Sequence, residues 1–593
     1  MCGIIAYKGK ENATTIVING LKHLEYRGYD SWGIAWLGSE KVSLLKKVGK
    51  IGEFKEETKL PSSFIAIGHT RWATHGMVAE INAHPHFSCD KNIYVVHNGI
   101  IENYEKLRRE LIKKGHRFIS ETDTEVIPHL IEEYRKTNNF SKACEKAFSR
   151  LDGLFAAVVL DKKTQEIIGA RNGSPLVMGI GKTGLFLASD IPAFLDKTNK
   201  VVLIDDKEMA HLISEKNYQI KDFVSKKVIK KKITTINWSA NQAEKGKYPH
   251  YMIKEIMEIP EVIKKSLWQN KKQLNRVVNL IKQSSKIVFV GCGTAGHACL
   301  ESKYLFSSFL NLKKPIDFLP APEFKNFLPS LDKKTLIIAI SQSGETIDVI
   351  EAVKNAKAQG LKIVSLVNVI GSSLTRASDL ILMINAGPEK CVLATKSYLA
   401  QLSLIIFLVF RTLSRGKEGI KKLEAISRKS SEILNNQTFH RLIKKLAHNL
   451  AKEEHIYIIG RGVHYPTSLE SALKIKESCY IHAEAFAGGE LKHGVIALVE
   501  KGTPCIIHLA KNNEETNTII NAMELKSRGG YLIGIGSFKS KDFDCFITLP
   551  ETEEIFSPLL NIIPVHLLAY YLAIEKKLDP DKPRNLAKSV TVK

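Results

Sequence analysis

The second half of the chain repeats one pattern, in which a short apolar run is followed by a polar loop and then a helix. The apolar runs lie at 286–290, 336–340 and 361–367 in the first copy, and at 455–459, 504–509 and 531–535 in the second. Continuous apolar runs of this length are typical of buried parallel strands, and their alternation with helices indicates βαβ units. The sequence therefore predicts an α/β protein with two tandem doubly wound domains, over residues 281–420 and 445–582.

The loop at 341–346, Ser-Gln-Ser-Gly-Glu-Thr, precedes a predicted helix over Ile347–Ala358. Hydroxyl and backbone N–H groups converge where this helix begins, and the helix dipole favours an anion there. The loop lacks the lysine of a P-loop, and the segment 291–294 lacks the third glycine of a dinucleotide fingerprint, which disfavours ATP and NAD. A phosphate group suits the loop, and ordinary helix capping is the alternative.

The chain begins with Met1-Cys2-Gly3, and removal of the methionine would leave a thiol and a free α-amine on Cys2. An α-amine has a pKa of about 8, so it can act as a base close to neutral pH. The arrangement is the cysteine counterpart of an N-terminal threonine nucleophile. The alternative is that Cys2 is only a small residue at this position.

A first domain is expected over 2–235, with strands at 64–67 and 93–96 that end in polar, glycine-containing loops. In these segments Arg71 could hold a carboxylate, and Asp123 an ammonium. Asn98 and the backbone N–H of Gly99 could polarise a carbonyl oxygen. A surface ion pair, a helix cap and a type I′ turn are the respective alternatives.

Three stretches of the second half carry further candidates for acid–base chemistry. Lys474 and Glu477 lie three residues apart and so share a helical face, as a surface ion pair also would. His493 lies in a glycine-flanked loop, and a solvated histidine is the alternative. Lys588 belongs to the C-terminal tail, residues 583–593, whose spaced apolar residues indicate docking; burial would make it a Schiff-base candidate.

Composition excludes few classes of protein. The net charge is +24, with 86 Lys and Arg against 62 Asp and Glu, but the lysines are dispersed, so no nucleic-acid partner is expected. The cysteines show no CxxC pair and no zinc-type spacing with histidine, so no metal site is expected, and reduced thiols fit a cytoplasmic location. The apolar runs at 402–410 and 558–573 are too short or too interrupted to predict a membrane span.

Segments of the first domain, in order, resemble the class II (N-terminal nucleophile) glutamine amidotransferase family. They are Cys2-Gly3-Ile4, Tyr26 to Ser31, His69 to Gly76, His97-Asn98-Gly99 and Glu121 to Glu125. The resemblance implies a four-layer α/β/β/α fold and hydrolysis of glutamine. It also implies that Cys2 is the nucleophile, that Asn98 and Gly99 form the oxyanion hole, and that Arg71 and Asp123 hold the glutamine α-groups beside Trp72, Thr74 and His75.

The second half resembles the tandem sugar-isomerase (SIS) domains of the glucosamine-6-phosphate synthase family, through Ser-Gln-Ser-Gly-Glu-Thr and the C-terminal Asn-Leu-Ala-Lys-Ser-Val-Thr-Val. The resemblance covers essentially the whole chain and implies a sugar-phosphate site. Its implied binding residues are Thr294, Ser341, Gln342, Ser343, Thr346 and Val392. It further implies that Glu477 moves a proton between C1 and C2, that His493 opens the sugar ring, that Lys474 supports developing charge, and that Lys588 forms an imine.

This family resemblance implies a cytoplasmic homodimer that acts on glutamine and fructose 6-phosphate without a cofactor. The linker at 236–280 is short, as in bacterial-type members. Ala295 and Ala394 stand where serine is common in the family, and Trp32 where a small residue is common. Other class II amidotransferases would need an ATP or pyrophosphate domain, and a sugar-phosphate-responsive regulator would need a helix-turn-helix; neither is found in the sequence.

Overall fold

The computed structural model describes residues 2–38, 41–54, 60–236, 238, 242, 244–310, 312–511, 514–538 and 540–590. The chain divides into two compact units. The first unit comprises Met1–Glu244 together with Ala587–Lys593, and the second comprises Lys245–Leu586.

The first unit contains two antiparallel sheets. The strands are β1 (Gly3–Gly9), β2 (Ser31–Leu37), β3 (Val42–Val48), β4 (Ile65–Arg71), β5 (His86–Phe87), β6 (Ile93–Ile101), β7 (Gly153–Asp161), β8 (Glu166–Asn172), β9 (Val177–Ile180), β10 (Gly184–Ala188), β11 (Lys200–Leu203), β12 (Glu208–Leu212), β13 (Tyr218–Asp222) and β14 (Thr234–Thr235). The eight-stranded sheet has the order β14-β11-β9-β10-β1-β4-β2-β3, and the six-stranded sheet has the order β13-β12-β8-β7-β6-β5.

Helices cover the outer faces of the two sheets. They are α1 (Ala13–Leu24), α2 (Tyr104–Lys113), α3 (Val126–Arg135) and α4 (Phe140–Phe148), with 3₁₀ turns at Glu25–Arg27, Ile51–Glu53, Glu80–Asn82, Asp123–Glu125 and Ile191–Ala193. Side chains alternate along β1: Ile4 and Ala6 pack between the sheets, whereas Ile5 and Tyr7 pack in the cluster that contains α1. Helices α2 to α4 pack on the second sheet. The predicted four-layer α/β/β/α architecture is confirmed.

Two strands of this unit extend further than the sequence predicts. Strand β4 continues to Arg71, and β6 continues to Ile101, so Asn98 and Gly99 lie within a strand and not in a loop or a type I′ turn. The reason is pairing: β6 remains in register with β7 as far as Ile101, opposite Gly153. Asn98 and Gly99 are therefore part of the pairing between β6 and β7, and the Asn98 side chain projects from the sheet.

The second unit contains two parallel five-stranded sheets. The strands are β15 (Ile287–Gly291), β16 (Ile316–Pro320), β17 (Leu336–Ser341), β18 (Lys362–Val367), β19 (Leu380–Met383), β20 (His455–Gly460), β21 (His482–Ala487), β22 (Pro504–His508), β23 (Tyr531–Gly536) and β24 (Cys545–Thr548). Their orders are β16-β15-β17-β18-β19 and β21-β20-β22-β23-β24. In each sheet the first strand of the copy lies between the second strand and the third strand. The same topology therefore occurs twice, which confirms the duplication.

Helices surround both sheets of the second unit. They are α5 (Tyr251–Met257), α6 (Ile259–Lys265), α7 (Lys271–Gln283), α8 (Gly293–Phe309), α9 (Phe324–Phe327), α10 (Ile347–Ala358), α11 (Ser373–Ala377), α12 (Lys396–Thr412), α13 (Gly416–Asn435), α14 (Gln437–Leu450), α15 (His464–Cys479), α16 (Glu515–Lys526) and α17 (Ser557–Glu575). Turns of 3₁₀ helix lie at Ala321–Glu323, Leu328–Ser330, Gly488–His493, Val495–Leu498 and Glu554–Phe556.

One hydrophobic core joins the two copies of the repeat. It contains residues from helices α5 to α8, α12 to α15 and α17 and from strands of both sheets, among them Phe289, Ile338, Ile458 and Ile533. Within the described residues one helical stretch, Glu554–Glu575, is long and apolar enough to cross a membrane, which differs from the sequence expectation because the helix continues through Pro564. Its most apolar window is 94% buried inside the protein, the pattern of a core helix.

Candidate functional site

Cys2 directly precedes β1, and the sheet places it beside two of its expected partners. The Trp72 backbone N–H donates to Cys2 Sγ at 3.2 Å. Asn98 Nδ2 donates to the Cys2 carbonyl oxygen at 3.0 Å, and Arg27 Nε donates to the same oxygen at 3.2 Å. The structure therefore brings the candidate nucleophile and the candidate oxyanion residue together. Arg27 is a neighbour to which sequence reasoning gave no role.

Opposing effects act on the thiol of Cys2. Burial raises the pKa of Cys2 above its ordinary value, whereas the Trp72 N–H and the charges of Arg71 and Arg27 lower it. Since burial is the largest effect, the thiol needs a proton acceptor to become the thiolate nucleophile.

Glycine is required at position 99. Gly99 has φ of +111°, and a Cβ built on it would lie 1.9 Å from the Leu154 carbonyl oxygen on the paired strand β7. A side chain would therefore separate β6 from β7 at the point where Asn98 faces Cys2. The close pairing fixes the backbone N–H of Gly99 within a rigid strand.

Arg71 is buried at the end of β4, where it organises the segment that follows. Its guanidinium donates to the carbonyl oxygens of His75, Gly76 (3.0 Å) and Met77 (3.2 Å). Asp30, which was not assigned a role from the sequence, accepts from Ala73 N–H at 2.9 Å. The segment 72–77 is thus held from both ends.

Three of the other expected glutamine-binding residues, Trp72, Thr74 and His75, lie within this segment, and Asp123 begins the 3₁₀ turn Asp123–Glu125. Asp123 Oδ2 accepts from the Ile101 backbone N–H at 2.7 Å, and its side chain is buried. The ring of Trp72 meets Tyr29 edge-on at 5.5 Å, and the ring of His75 meets Tyr104 at 5.7 Å. Thr74 is exposed.

Sequence reasoning gave no role to the stacked histidines beneath Asn98. The His69 and His84 rings stack at 4.1 Å, and His69 Nε2 lies 3.1 Å from Asn98 Oδ1 and 2.9 Å from His97 O. His97 Nδ1 lies 2.8 Å from Thr124 Oγ1. Burial lowers the pKa of His69 to about 3 and also lowers those of His84 and His97. The repeated appearance of His in otherwise strand-like segments was the available signal.

In the second unit, the loop 341–346 connects β17 to α10. Ser341 Oγ accepts from Gly344 N–H at 3.0 Å and lies 3.1 Å from Thr346 Oγ1, while Ser343 Oγ accepts from Glu345 N–H at 3.1 Å. Thr346 immediately precedes the helix without capping it through its side chain. The hydroxyls are therefore gathered at a helix N-terminus, as an anion site requires.

Gly344 lets this loop approach the neighbouring turn. Its φ is +65°, and a Cβ would lie 2.1 Å from Ser372 Oγ. Gln342 accepts from Asn368 N–H at 3.0 Å through its carbonyl oxygen, and the side chains of Gln342 and Ser343 are partly exposed. The loop is compact but open on one side.

Lys474 and Glu477 form a contact on α15, with Lys474 Nζ 2.6 Å from Glu477 Oε2. The surface alternative is wrong, because the Lys474 side chain is fully buried. Lys474 Nζ also donates to Thr294 Oγ1 at 3.0 Å and lies 3.4 Å from Glu470 Oε1. Burial alone would lower the pKa of Lys474, but Glu470 and Glu477 raise it, so the ammonium stays charged.

Glu470 is the member of this network that sequence reasoning missed. Its carboxylate is fully buried and accepts from Thr294 Oγ1 at 3.0 Å, and His297 Nδ1 lies 2.8 Å from it. Burial raises the pKa of Glu470, but Lys474 and His297 more than offset this. Its position one turn before Lys474 on the same helix face was the available signal.

The remaining expected residues lie elsewhere. His493 ends the 3₁₀ helix Gly488–His493 and is exposed. Val392 is buried and donates its backbone N–H to Asp581 O at 3.0 Å. Lys588 is partly buried in the segment Ala587–Lys593, which is grouped with the first unit. Their predicted roles stay predictions.

Family models match both halves of the chain. Residues 280–411 and 449–576 match the SIS domain, and residues 69–196 match a glutamine amidotransferase domain. These matches agree with the sheet topology of each unit.

Full-length relatives and a solved structure are similar to this chain. The glutamine–fructose-6-phosphate aminotransferases (isomerizing) of Pyrococcus horikoshii and Clostridium acetobutylicum are 44% and 41% identical to it, each over 100% of both chains. The solved C-terminal domain of the glucosamine-fructose-6-phosphate aminotransferase from Francisella tularensis covers 57% of this chain and 99% of its own, with 30% identity and a TM-score of 0.53. The chain therefore belongs to the family of isomerizing glutamine–fructose-6-phosphate aminotransferases.

Proposed function

We propose that the protein converts glutamine and fructose 6-phosphate into glutamate and glucosamine 6-phosphate. The observation that carries this proposal is the alignment over 100% of both chains with relatives named for that reaction. The geometry around Cys2 in the first unit and around Lys474 in the second supports the same assignment.

The first unit hydrolyses glutamine. With Met1 removed, the α-amine of Cys2 accepts the thiol proton, and the thiolate attacks the side-chain amide of glutamine. Asn98 and the N–H of Gly99 stabilise the oxyanion, a role supported by the 3.0 Å contact of Asn98 with Cys2. Ammonia leaves, and water then cleaves the thioester to release glutamate. Arg71 and Asp123 hold the substrate α-carboxylate and α-ammonium, beside Trp72, Thr74 and His75.

The second unit rearranges the sugar. The loop residues Ser341, Gln342, Ser343 and Thr346 bind the phosphate, near Thr294 and Val392. His493 opens the ring, and Lys588 forms an imine at C2, which ammonia then displaces. Glu477 moves a proton from C1 to C2, giving the amino aldose, and the adjacent ammonium of Lys474 stabilises the charge that develops on the sugar. Ammonia from the first unit supplies the nitrogen.

The setting of this reaction is part of the same proposal. The protein acts in the cytoplasm as a homodimer and needs neither nucleic acid nor a membrane. The chemistry requires no metal and no organic cofactor, because a lysine imine and acid–base side chains supply each step.

The test is incubation of purified protein with both substrates, followed by chromatographic detection of glucosamine 6-phosphate. We expect amino sugar and glutamate to accumulate in equal amounts. Glutamine hydrolysis without any glucosamine 6-phosphate would show that the acceptor assignment is wrong. Replacement of fructose 6-phosphate by fructose serves as the control, since it removes only the phosphate.

A further inference from the structure

Four side chains of types that bind transition metals converge in the first unit, away from Cys2 and Asn98. Cys89 lies in the turn between β5 and β6, His116 lies between α2 and α3, and His129 and Glu132 lie on α3. One potential ligand atom from each lies within 4.8 Å of all the others. Sequence spacing did not indicate this cluster because its members come from three separate segments.

Four of the six separations between these atoms lie close to those of a tetrahedron around one ion. Cys89 Sγ lies 3.9 Å from His116 Nδ1 and 3.6 Å from His129 Nδ1. Glu132 Oε2 lies 3.0 Å from His116 Nδ1 and 3.4 Å from His129 Nδ1. Tetrahedral zinc, with bonds of about 2.0 Å to N or O and about 2.3 Å to S, requires separations of about 3.3 Å and about 3.6 Å, respectively.

The groups behind the cluster are those that support metal-bound histidines. His116 Nε2 lies 3.2 Å from Glu133 Oε2, and His129 Nε2 lies 3.6 Å from Glu125 Oε1. The Glu133 carboxylate, within hydrogen-bond distance of His116 Nε2, fixes the tautomer that leaves Nδ1 of His116 free to coordinate, whereas Glu125 acts on His129 only as a nearby charge. Glu125 is itself held, because it accepts from Ser120 N–H at 2.7 Å and from Ser120 Oγ at 2.6 Å.

Backbone groups position the two anionic members. The Arg117 N–H donates to Cys89 Sγ at 3.3 Å, and the N–H groups of Cys89 and Asp90 donate to the two oxygens of Glu132 at 3.1 and 2.8 Å. A thiolate and a carboxylate together balance a divalent cation. His116 and His129 are buried while Cys89 is exposed, so an ion has a route of entry.

We propose that Cys89, His116, His129 and Glu132 form a structural Zn²⁺ site. Four protein ligands close the coordination shell, and the mixture of sulfur and imidazole donors selects zinc over magnesium or calcium. The ion ties the turn after β5 and the segment before α3 to α3 itself. The 3₁₀ turn Asp123–Glu125 immediately precedes α3, so the ion also steadies the turn that contains Asp123. All four ligands belong to the first unit, so the site acts on the stability of that unit and takes no part in the sugar chemistry.

Cobalt(II) substitution of the full-length protein tests the site. Metal-free protein is prepared by chelation and dialysis, and Co²⁺ is added while the thiolate-to-cobalt charge-transfer absorption is recorded. We expect one equivalent of Co²⁺ to produce the band and Zn²⁺ to abolish it by displacement. Cys89→Ser removes the band, whereas Cys545→Ser, which removes a partly exposed thiol of the second unit, retains it. Far-UV circular dichroism verifies that both variants are folded. A band that persists in Cys89→Ser, or no band in the original protein, would overturn the proposal.

A variant behind the ligands gives a second, independent measurement. Glu133→Gln keeps all four ligands but weakens the support of His116, so the zinc dissociation constant should rise by about 10- to 100-fold in chelator competition. Glu133 has exposed lysine partners as well, so Lys136→Met is the control and should leave the constant unchanged. An unchanged constant in Glu133→Gln would contradict the proposed coordination by His116 Nδ1 with Glu133 behind the ring.

Discussion

Lys474 Nζ lies 2.6 Å from Glu477 Oε2 in a network that also contains Glu470, and the side chains of Lys474 and Glu470 are fully buried. Two carboxylates and one ammonium therefore share a site, in which solvent does not reach the Lys474 side chain. Removing one charge from such a group leaves another without compensation, which is more costly than losing a surface ion pair.

Replacement of this lysine should therefore affect both stability and chemistry. We expect Lys474→Met to lower the free energy of unfolding by about 3–5 kcal/mol, because Glu470 stays buried without its cation. Sugar isomerisation should also be lost. Urea unfolding and a fructose 6-phosphate isomerisation assay measure the two effects. Lys476→Met is the matched control, since Lys476 lies on the same helix but is exposed; equal effects of the two substitutions would contradict the network.

Cys2→Ala should separate the two reactions. We expect glutamine-dependent synthesis to disappear while conversion between fructose 6-phosphate and glucose 6-phosphate continues, because the substitution removes only the thiol of the first unit. Coupled enzymatic assays of both sugars measure this, with Cys545→Ala as the control. Loss of isomerisation together with synthesis would show that the two sites are not chemically separable.

Gly99→Ala tests the oxyanion strand. The new Cβ would meet the Leu154 carbonyl at 1.9 Å, so β6 must move away from β7. We expect the glutaminase kcat to fall by about 10²- to 10³-fold, as when an oxyanion donor is lost. Gly49→Ala is the control: its φ is also positive, at +95°, but nothing lies within 4 Å of the added Cβ. It should cost about 1–2 kcal/mol of stability without a change in kcat.

Gly344→Ala tests the loop at the start of α10. A Cβ would lie 2.1 Å from Ser372 Oγ, so the hydroxyl groups at 341–346 must shift. We expect the KM for fructose 6-phosphate to rise at least 10-fold, a loss of about 1.4 kcal/mol of binding. Gly360→Ala, beyond the other end of the same helix, has φ of +80° and no atom within 4 Å. It should leave the KM unchanged, and a similar rise in both variants would argue against a phosphate role for the loop.

The histidine stack predicts acid sensitivity. The pKa of His69 is lowered to about 3 by burial, and that of His84 also lies well below the ordinary value of about 6.5. These rings stay neutral in the folded protein but accept protons when it unfolds. Their contribution to stability is therefore complete above about pH 6.5 and decreases as the pH falls toward 3, by up to about 1.4 kcal/mol per pH unit for each ring.

Urea unfolding followed by tryptophan fluorescence measures this dependence, since Trp32, Trp36 and Trp72 lie in the first unit. His84→Gln should reduce the slope of unfolding free energy against pH by about one proton below pH 6. The exposed His448, at the end of α14, provides the control His448→Gln, which should leave the slope unchanged. An unchanged slope in His84→Gln would contradict the neutral state of its ring.

Local patterns predicted the elements that depend on local sequence. Helix α10 has the predicted bounds, and the first strands of both repeat copies begin within a residue of prediction, because apolar runs flanked by polar loops define buried parallel strands. Longer-range features were not predictable. The N-terminus of α5 is capped by Asp581, which accepts from Tyr251 and Met252 N–H groups at 2.8 Å from more than three hundred residues away in the chain.

In the candidate sites, too, residues in local motifs were predicted, whereas features that depend on distant contacts were not. The motif residues Cys2, Asn98, Lys474 and Glu477 were identified from the sequence, and the structure places Cys2 beside Asn98 and Lys474 beside Glu477. Glu470 was missed because its position one turn before Lys474 is equally typical of a surface ion pair and does not by itself indicate burial. The extension of β6 through Asn98 was missed because its partner strand, β7, comes much later in the chain.

The common core of the second unit has a consequence for how this protein unfolds. Helices α12 and α17 and both sheets share one apolar cluster, and Thr294 of the first copy bonds to Glu470 and Lys474 of the second. Neither copy of the repeat can unfold separately without exposing the apolar surface of the other copy to solvent. We therefore expect residues 245–586 to melt in a single cooperative transition and each copy, expressed alone, to remain unfolded. In thermodynamic terms, we expect the two copies of the repeat to behave as one domain.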